Sequence, residues 1–279
     1  MNVELADERF LILKDRFSMD HAEGRASTKR IDAFGTLAKV TGFLSKPKED
    51  EFELVYRERR LQPFWRLVSA ADYVYERPRR YPVAVPAAVE TVAAYGQTLT
   101  AVDGQITFEG LETCREAVRK ESLYDALTRQ PDATLSKYLG FEGIAVEADR
   151  LQAAAGEETI VVPPVAKAPE LIRDALSGVI TRIEADRVLE EKIRVEAVEL
   201  YYRPIYAFRY RRQGKEAVVE FDGLTGDVTT GGATFETYLG KVLDPAFLID
   251  AGVEAATLVI PGARLAEIIV TKGIALARG

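Results

Sequence analysis

The chain has 279 residues, enough for one large domain or two ordinary ones, and its 47% hydrophobic and 29% charged content is that of a folding globular protein rather than a disordered one. A formal net charge of -7 argues against a surface built wholly for nucleic acid, while leaving a local basic patch open. One cysteine (Cys114) and one histidine (His21) exclude an internal disulfide framework and a Cys/His zinc site.

The start, Met1 to Arg9, is acidic and lacks the basic-then-apolar order of a secretory signal. No segment offers the ~20 uncharged apolar residues of a membrane helix. The nearest, Ala246 to Ile260, is interrupted by Asp250 and Glu254. The expectation is a cytoplasmic protein with no membrane span.

Phe10 to Leu13 form a short apolar cluster, and Ser18 to Arg30 reads as a polar loop. Strand signals begin at Phe52 to Tyr56 and return at Phe64 to Val68, Asp72 to Tyr75 and Val83 to Val85, each rich in β formers. Asp103-Gly104 is a hairpin turn. From Leu111 to Thr128 the apolar spacing of Leu111, Val118, Leu123 and Leu127 predicts a helix that ends before Pro131. Thr159 to Val162 is a strand closed by Pro163-Pro164, the candidate domain boundary. A helix is expected from Pro169 to Leu189, with Leu171, Ala175, Val179 and Ile183 four apart. Strands return at Ile193 to Tyr202, Ile205 to Arg211 and Glu216 to Phe221. Turns are expected at Gln213-Gly214-Lys215 and at Asp222 to Asp227. Thr229 to Ala233 is a glycine stretch, and Leu265 to Leu276 predicts a packed helix.

Two segments resemble each other. Glu53-Leu54-Val55-Tyr56, Pro63-Phe64-Trp65-Arg66 and Tyr73-Val74-Tyr75 match Glu199-Leu200-Tyr201-Tyr202, Pro204 to Tyr210 and Ala217-Val218-Val219. Each has a strand ending in Tyr, a proline, an aromatic strand with Arg, and a return strand. A proline cannot donate to a ladder, so one placed between strand-like runs lets the chain change direction.

The second segment carries Tyr206-x-Phe208-x-Tyr210, then Gly214-Lys215-x-x-Val218-Val219-x-Phe221-Asp222-Gly223-x-Thr225-Gly226-Asp227-Val228. From about Pro169 to Val228 it resembles a PepSY-type or cystatin-like unit, with a second copy around residues 52–85. The resemblance implies a helix on a small antiparallel sheet and a binding or regulatory role. It brings no catalytic residues.

The candidate binding surface is Trp65, Arg66, Arg79, Arg80, Arg203, Tyr206, Arg209 and Arg211, where arginines alternate with aromatics. Such a face could stack bases and hold phosphates. It reads more simply as a sheet with aromatics turned to the core and charge turned to water. His21 and Cys114 lie in no nucleophile-elbow or triad pattern, and Thr229 to Gly232 lacks a Walker lysine. Cys114 reads as a small core residue of the helix expected over 111–128.

The fold expected is α+β in two lobes, each an antiparallel sheet packed against helices: an N-terminal lobe over residues 1–164, and a C-terminal lobe with a helical tail over 165–279. The leading functional expectation is a non-enzymatic interaction or regulatory module with an unknown protein partner and no cofactor or metal. A homo-oligomer stays open. The alternatives are nucleic-acid binding through the Arg/aromatic faces and a carboxylate-dependent enzyme acting on a small molecule.

Overall fold

A computed structural model describes residues 2–34 and 51–234. The β formers of the sequence build eleven strands there: β1 (Asn2–Leu5), β2 (Glu8–Leu13), β3 (Glu53–Ala84), β4 (Thr91–Ala94), β5 (Gln97–Thr100), β6 (Gln105–Asp125), β7 (Gly143–Val146), β8 (Thr159–Val161), β9 (Arg187–Arg212), β10 (Lys215–Asp222) and β11 (Val228–Thr230). The α-helices among the described residues are short: α1 (Met19–Ala33), α2 (Leu151–Ala155) and α3 (Ala168–Ser177).

The two-lobed α+β expectation is corrected. Nine strands join one mixed sheet, and sheet dominates over helix. In that sheet β9 pairs with β10, β2, β1 and β3, while β3 also pairs with β6 and β8. Most of the registers are antiparallel, but β1 runs parallel to β9 and β8 parallel to β3. The expected short strands of residues 52–85 are one 32-residue strand, with Pro63 inside it. Pro204 likewise lies within β9. A proline removes one donor but keeps its acceptor, and the Pro204 carbonyl accepts from the Gly223 N–H at 2.9 Å.

Two compact units divide the described residues, and β3, β6 and β9 each supply residues to both. The first draws on residues 2–7, 67–122 and 168–198. The second draws on 8–34, 51–66, 123–167 and 199–234.

In the first unit, Ala71, Tyr73, Tyr75, Val179 and Ile193 are buried together, with Cys114, Val118, Leu176 and Ile183 packed against them. The residues expected as a helix over 111–128 form β6 instead. Its even positions Cys114 and Val118 turn to this core, while Leu111 is exposed on the other face. Many solvated charges along β6 mask the period-2 signal that a strand normally shows. Helix α3 stops at Ser177, short of Leu189. A glycine and the β-branched Val179, Ile180 and Thr181 follow it, all poorer helix formers. Val179 and Ile183 still reach the expected core without helical geometry.

In the second unit, α1 lies across β10 and β11. It buries only Ala22 and Ala26, one turn apart, against Tyr206, Phe208, Tyr210, Val219 and Phe221. Ser18 caps it by accepting from the His21 N–H at 3.3 Å. The segment 18–30 was expected as a loop, because an alanine stripe gives little hydrophobic signal. A further cluster gathers Leu13, Phe64, Leu123, Leu135, Tyr138 and Leu224. The helix expected over 265–276 lies outside the described residues.

Tyr75, Tyr201 and Tyr210 are among the tyrosines that titrate late. Tyr75 is pushed up to about 12, first by its hydrogen bond to Glu116; Tyr201 and Tyr210 are pushed up to about 12, first by burial. A folded-state pKa above the ordinary value of 10 gives stability that is full below pH 10 and is lost as pH rises through about 12. Unfolding followed by circular dichroism should therefore hold its midpoint from about pH 7 to about pH 10 and then lose it steadily, with tyrosinate absorbance from these side chains rising in step. Complete ionisation of the tyrosines by about pH 11 with no loss of structure would contradict this.

Candidate functional site

The arginine/aromatic residues singled out above sit in different settings. Trp65 is buried and its Nε1 donates to the Ala166 carbonyl at 2.9 Å. Tyr206 is buried, its single O–H shared between Asp15 Oδ1 at 2.5 Å and the Phe17 carbonyl at 2.8 Å. Arg66 bonds Glu199 at 2.8 Å, and Glu199 also takes Arg9 and the Tyr201 hydroxyl. Arg209 lies over the Tyr56 ring and 3.6 Å from Glu216. Arg211 donates to the same Glu216 at 2.8 Å. These five, with Arg203, belong to the second unit; Arg79 and Arg80 belong to the first. There Arg80 pairs with Glu109 at 2.9 Å, and Arg79 stands 3.7 Å from Glu112. The aromatics thus serve the core, and the arginines meet carboxylates.

Arg203 lines a cleft of about 250 Å³ in the second unit with Asp132, Lys137, Tyr138, Glu220, Asp222 and Asp227. The local fold builds it from the turn after β10. Asp222 Oδ1 accepts from the N–H groups of Leu224 and Thr225 at 2.9 and 3.0 Å, which closes the expected Asp-Gly turn. Its Oδ2 accepts from the Tyr138 hydroxyl and from Arg203 Nη1 at 3.0 Å. Gly223 packs on Pro204, where a Cβ would come within 3.0 Å of the ring and the carbonyl. Burial pushes the Tyr138 phenol up, and Arg203 rests 4.8 Å over its ring. Asp227 is held below the usual carboxylate range, first by the Thr225 hydroxyl. Asp222 has four donors and Tyr138 keeps its proton through neutrality, so both are spent on structure. No cluster of three metal-ligating side chains occurs among the described residues.

Residues considered for chemistry fare similarly. His21 is exposed on α1 with its ring stacked on Phe17. Cys114 lies half-buried on β6, 3.8 Å from Glu112. The glycine stretch meets a carboxylate rather than an anion site: a Cβ on Gly232 would fall 2.4 Å from the Glu220 side chain, and the Ala233 N–H donates to Glu220 at 2.9 Å.

The surface that sequence reasoning missed is in the first unit, where β3 ends and β6 begins. From Tyr81 to Val102, twenty-two residues carry one charge, Glu90, against 29% across the chain. None of the twenty-two is buried. Val83 and Val102 are exposed, and Tyr95 is 87% exposed. Within the stretch β4 and β5 form a hairpin and a sheet of their own. Its turn, Tyr95-Gly96, has φ of 56° and 74°, both positive as a type I′ turn demands. Asparagine or glycine suits the first position; a bulky tyrosine there is strained. The Tyr95 ring tilts against Phe108, which stacks on Tyr81, and Tyr81 lies over Gly110. The Tyr81 hydroxyl donates to Glu112, which Arg77 also holds at 2.7 Å, so Glu112 sits below the usual carboxylate range. The signal available in the sequence was the missing charge, which a search for motifs passes over.

No family model matches this chain, and neither the curated proteins nor the solved structures contain a match to it. Among the described residues, no helix is long and apolar enough to cross a membrane.

Proposed function

We propose that the protein is a non-enzymatic interaction module whose binding surface is the uncharged tip formed by residues 81–102. One observation carries this reading: a valine- and alanine-rich stretch with a single charge lies entirely outside the core. Exposed apolar surface of this kind is costly in water and marks contact sites. The strained Tyr95 supports it, because strain held at an exposed turn presents the ring outward and aids no core packing. The polar cleft supports it from the other side, since Asp222 and Tyr138 are committed to holding a turn. A protein partner is favoured over nucleic acid. Around the tip, Arg77, Arg79 and Arg80 face Glu112 and Glu109 instead of standing free for phosphates. The single cysteine suits a cytoplasmic setting.

The test is capture from the native host with tagged wild-type protein and with a Tyr95→Asp/Val102→Asp variant. Both substitutions lie at exposed positions, so the melting temperature should stay within a few degrees. Capture should drop at least about tenfold, the usual consequence of placing unpaired charge in an apolar contact. Partners held equally by both proteins would refute the reading.

A further inference from the structure

We propose that the partner of this tip is a second copy of the chain, joined by antiparallel pairing of β5 with its symmetry mate. This rests on the interaction-module reading and names its partner. Four observations carry it.

First, β4 and β5 pair with each other and with no further strand among the described residues, so each has an open outer edge. Second, the register fixes which groups that edge presents. Tyr95-Gly96 is a two-residue turn, so Ala94 and Gln97 close the ladder and the next pair, Ala93 and Thr98, turns its N–H and C=O groups outward. The alternation repeats at Val92 with Leu99 and at Thr91 with Thr100. The open edge of β5 therefore offers the backbone groups of Thr98 and Thr100.

Third, those two positions are self-complementary. A two-fold axis at Leu99 sets Thr98 against Thr100 of the second copy, and Thr100 against its Thr98. Such isologous pairing makes a four-stranded sheet with threonine pairs across the new ladder. Fourth, charge selects the like partner. Two chains of net charge -7 repel over most of their surfaces, but β5 and its neighbours to Val102 carry no charge at all. The edge also lacks the lysine, proline or bulge with which sheet proteins ordinarily block such contact. A lipid occupant is disfavoured by the same edge, whose outward N–H and C=O groups would be unpaired in hydrocarbon.

The contact is small, below the roughly 1,200 Å² of a stable interface, so a reversible monomer–dimer equilibrium is expected at high protein concentration. Sedimentation equilibrium tests it on the full chain. Thr98→Pro removes the outward N–H without touching the β4 ladder, and Thr98→Lys places a charge on the edge. Each should weaken dimerisation at least about tenfold. Thr98→Val keeps the N–H and should retain dimerisation. If the proline variant unfolds, the lysine variant decides. A wild-type dimer unaffected by Thr98→Lys overturns the proposal. A wild-type chain that stays monomeric yet captures a different protein through the tip also overturns it and leaves the module reading standing. A monomer that captures nothing removes both.

Discussion

Replacing Arg60 by methionine should destabilise the protein by about 3–5 kcal/mol, the range for breaking a buried ion pair from one side. Arg60 lies on β3 with 0% exposure. Its Nη1 donates to Glu58 at 2.9 Å and to the Ala233 carbonyl at 2.7 Å, and its Nη2 donates to Glu220 at 2.6 Å. The substitution leaves Glu58 and Glu220 without that cation, in a setting where two like charges cannot easily stay ionised. It also frees the segment after β11, which the Arg60–Ala233 bond and the Glu220–Ala233 bond hold from both sides. Urea unfolding measures the loss directly. A triple variant that adds Glu58→Gln and Glu220→Gln should recover part of it, because no ionised carboxylate is then left where the guanidinium stood. A loss under about 1 kcal/mol in the single variant would mean that the triad contributes no more than a surface pair.

Asp222→Ala should cost about 3–4 kcal/mol, since one side chain serves two structures. Oδ1 holds the Leu224 and Thr225 amides, and Oδ2 pairs with Arg203 and Tyr138. Alanine opens the turn that carries the buried Leu224 and leaves the Arg203 guanidinium over the Tyr138 ring without its anion. Asp222→Asn keeps an acceptor for the turn but loses the charge and the second acceptor that faces Arg203 and Tyr138, so it should cost less than the alanine variant. Equal losses for the two variants in thermal or urea unfolding would show that the ion pair alone matters.

The sequence was most legible where structure is local. Asp103-Gly104 and Gln213-Gly214 were expected as turns, and each pair has positive φ at both residues. The aromatic alternation of Tyr206, Phe208 and Tyr210 reads directly as the buried face of β9. Long-range features were hidden. Nothing in Pro63 or Pro204 announces that the strands run on through them, since a single lost donor is tolerated in a sheet bonded on both sides of it. Strand β6 was masked by its charges, and α1 by a contact face made of Ala22 and Ala26. Parallel pairing of β1 with β9 joins residues nearly the length of the described chain apart, which no local pattern encodes. The arginine and aromatic residues drew attention because they are chemically conspicuous, yet the rings fill cores and the guanidinium groups meet carboxylates. The tip is conspicuous only through a lack of charge combined with a lack of burial, and burial needs coordinates.

Photo-crosslinking from position 95 in the native host tests the interaction surface most directly. A photoreactive residue replaces Tyr95, whose ring is almost fully solvated, and a matched probe replaces Lys215 at the exposed Gln213-Gly214 turn of the other unit. A discrete protein adduct from position 95, with none from position 215, is the predicted result. The same pattern of adducts from both positions, or none from position 95, would contradict the assignment of residues 81–102 as the binding surface.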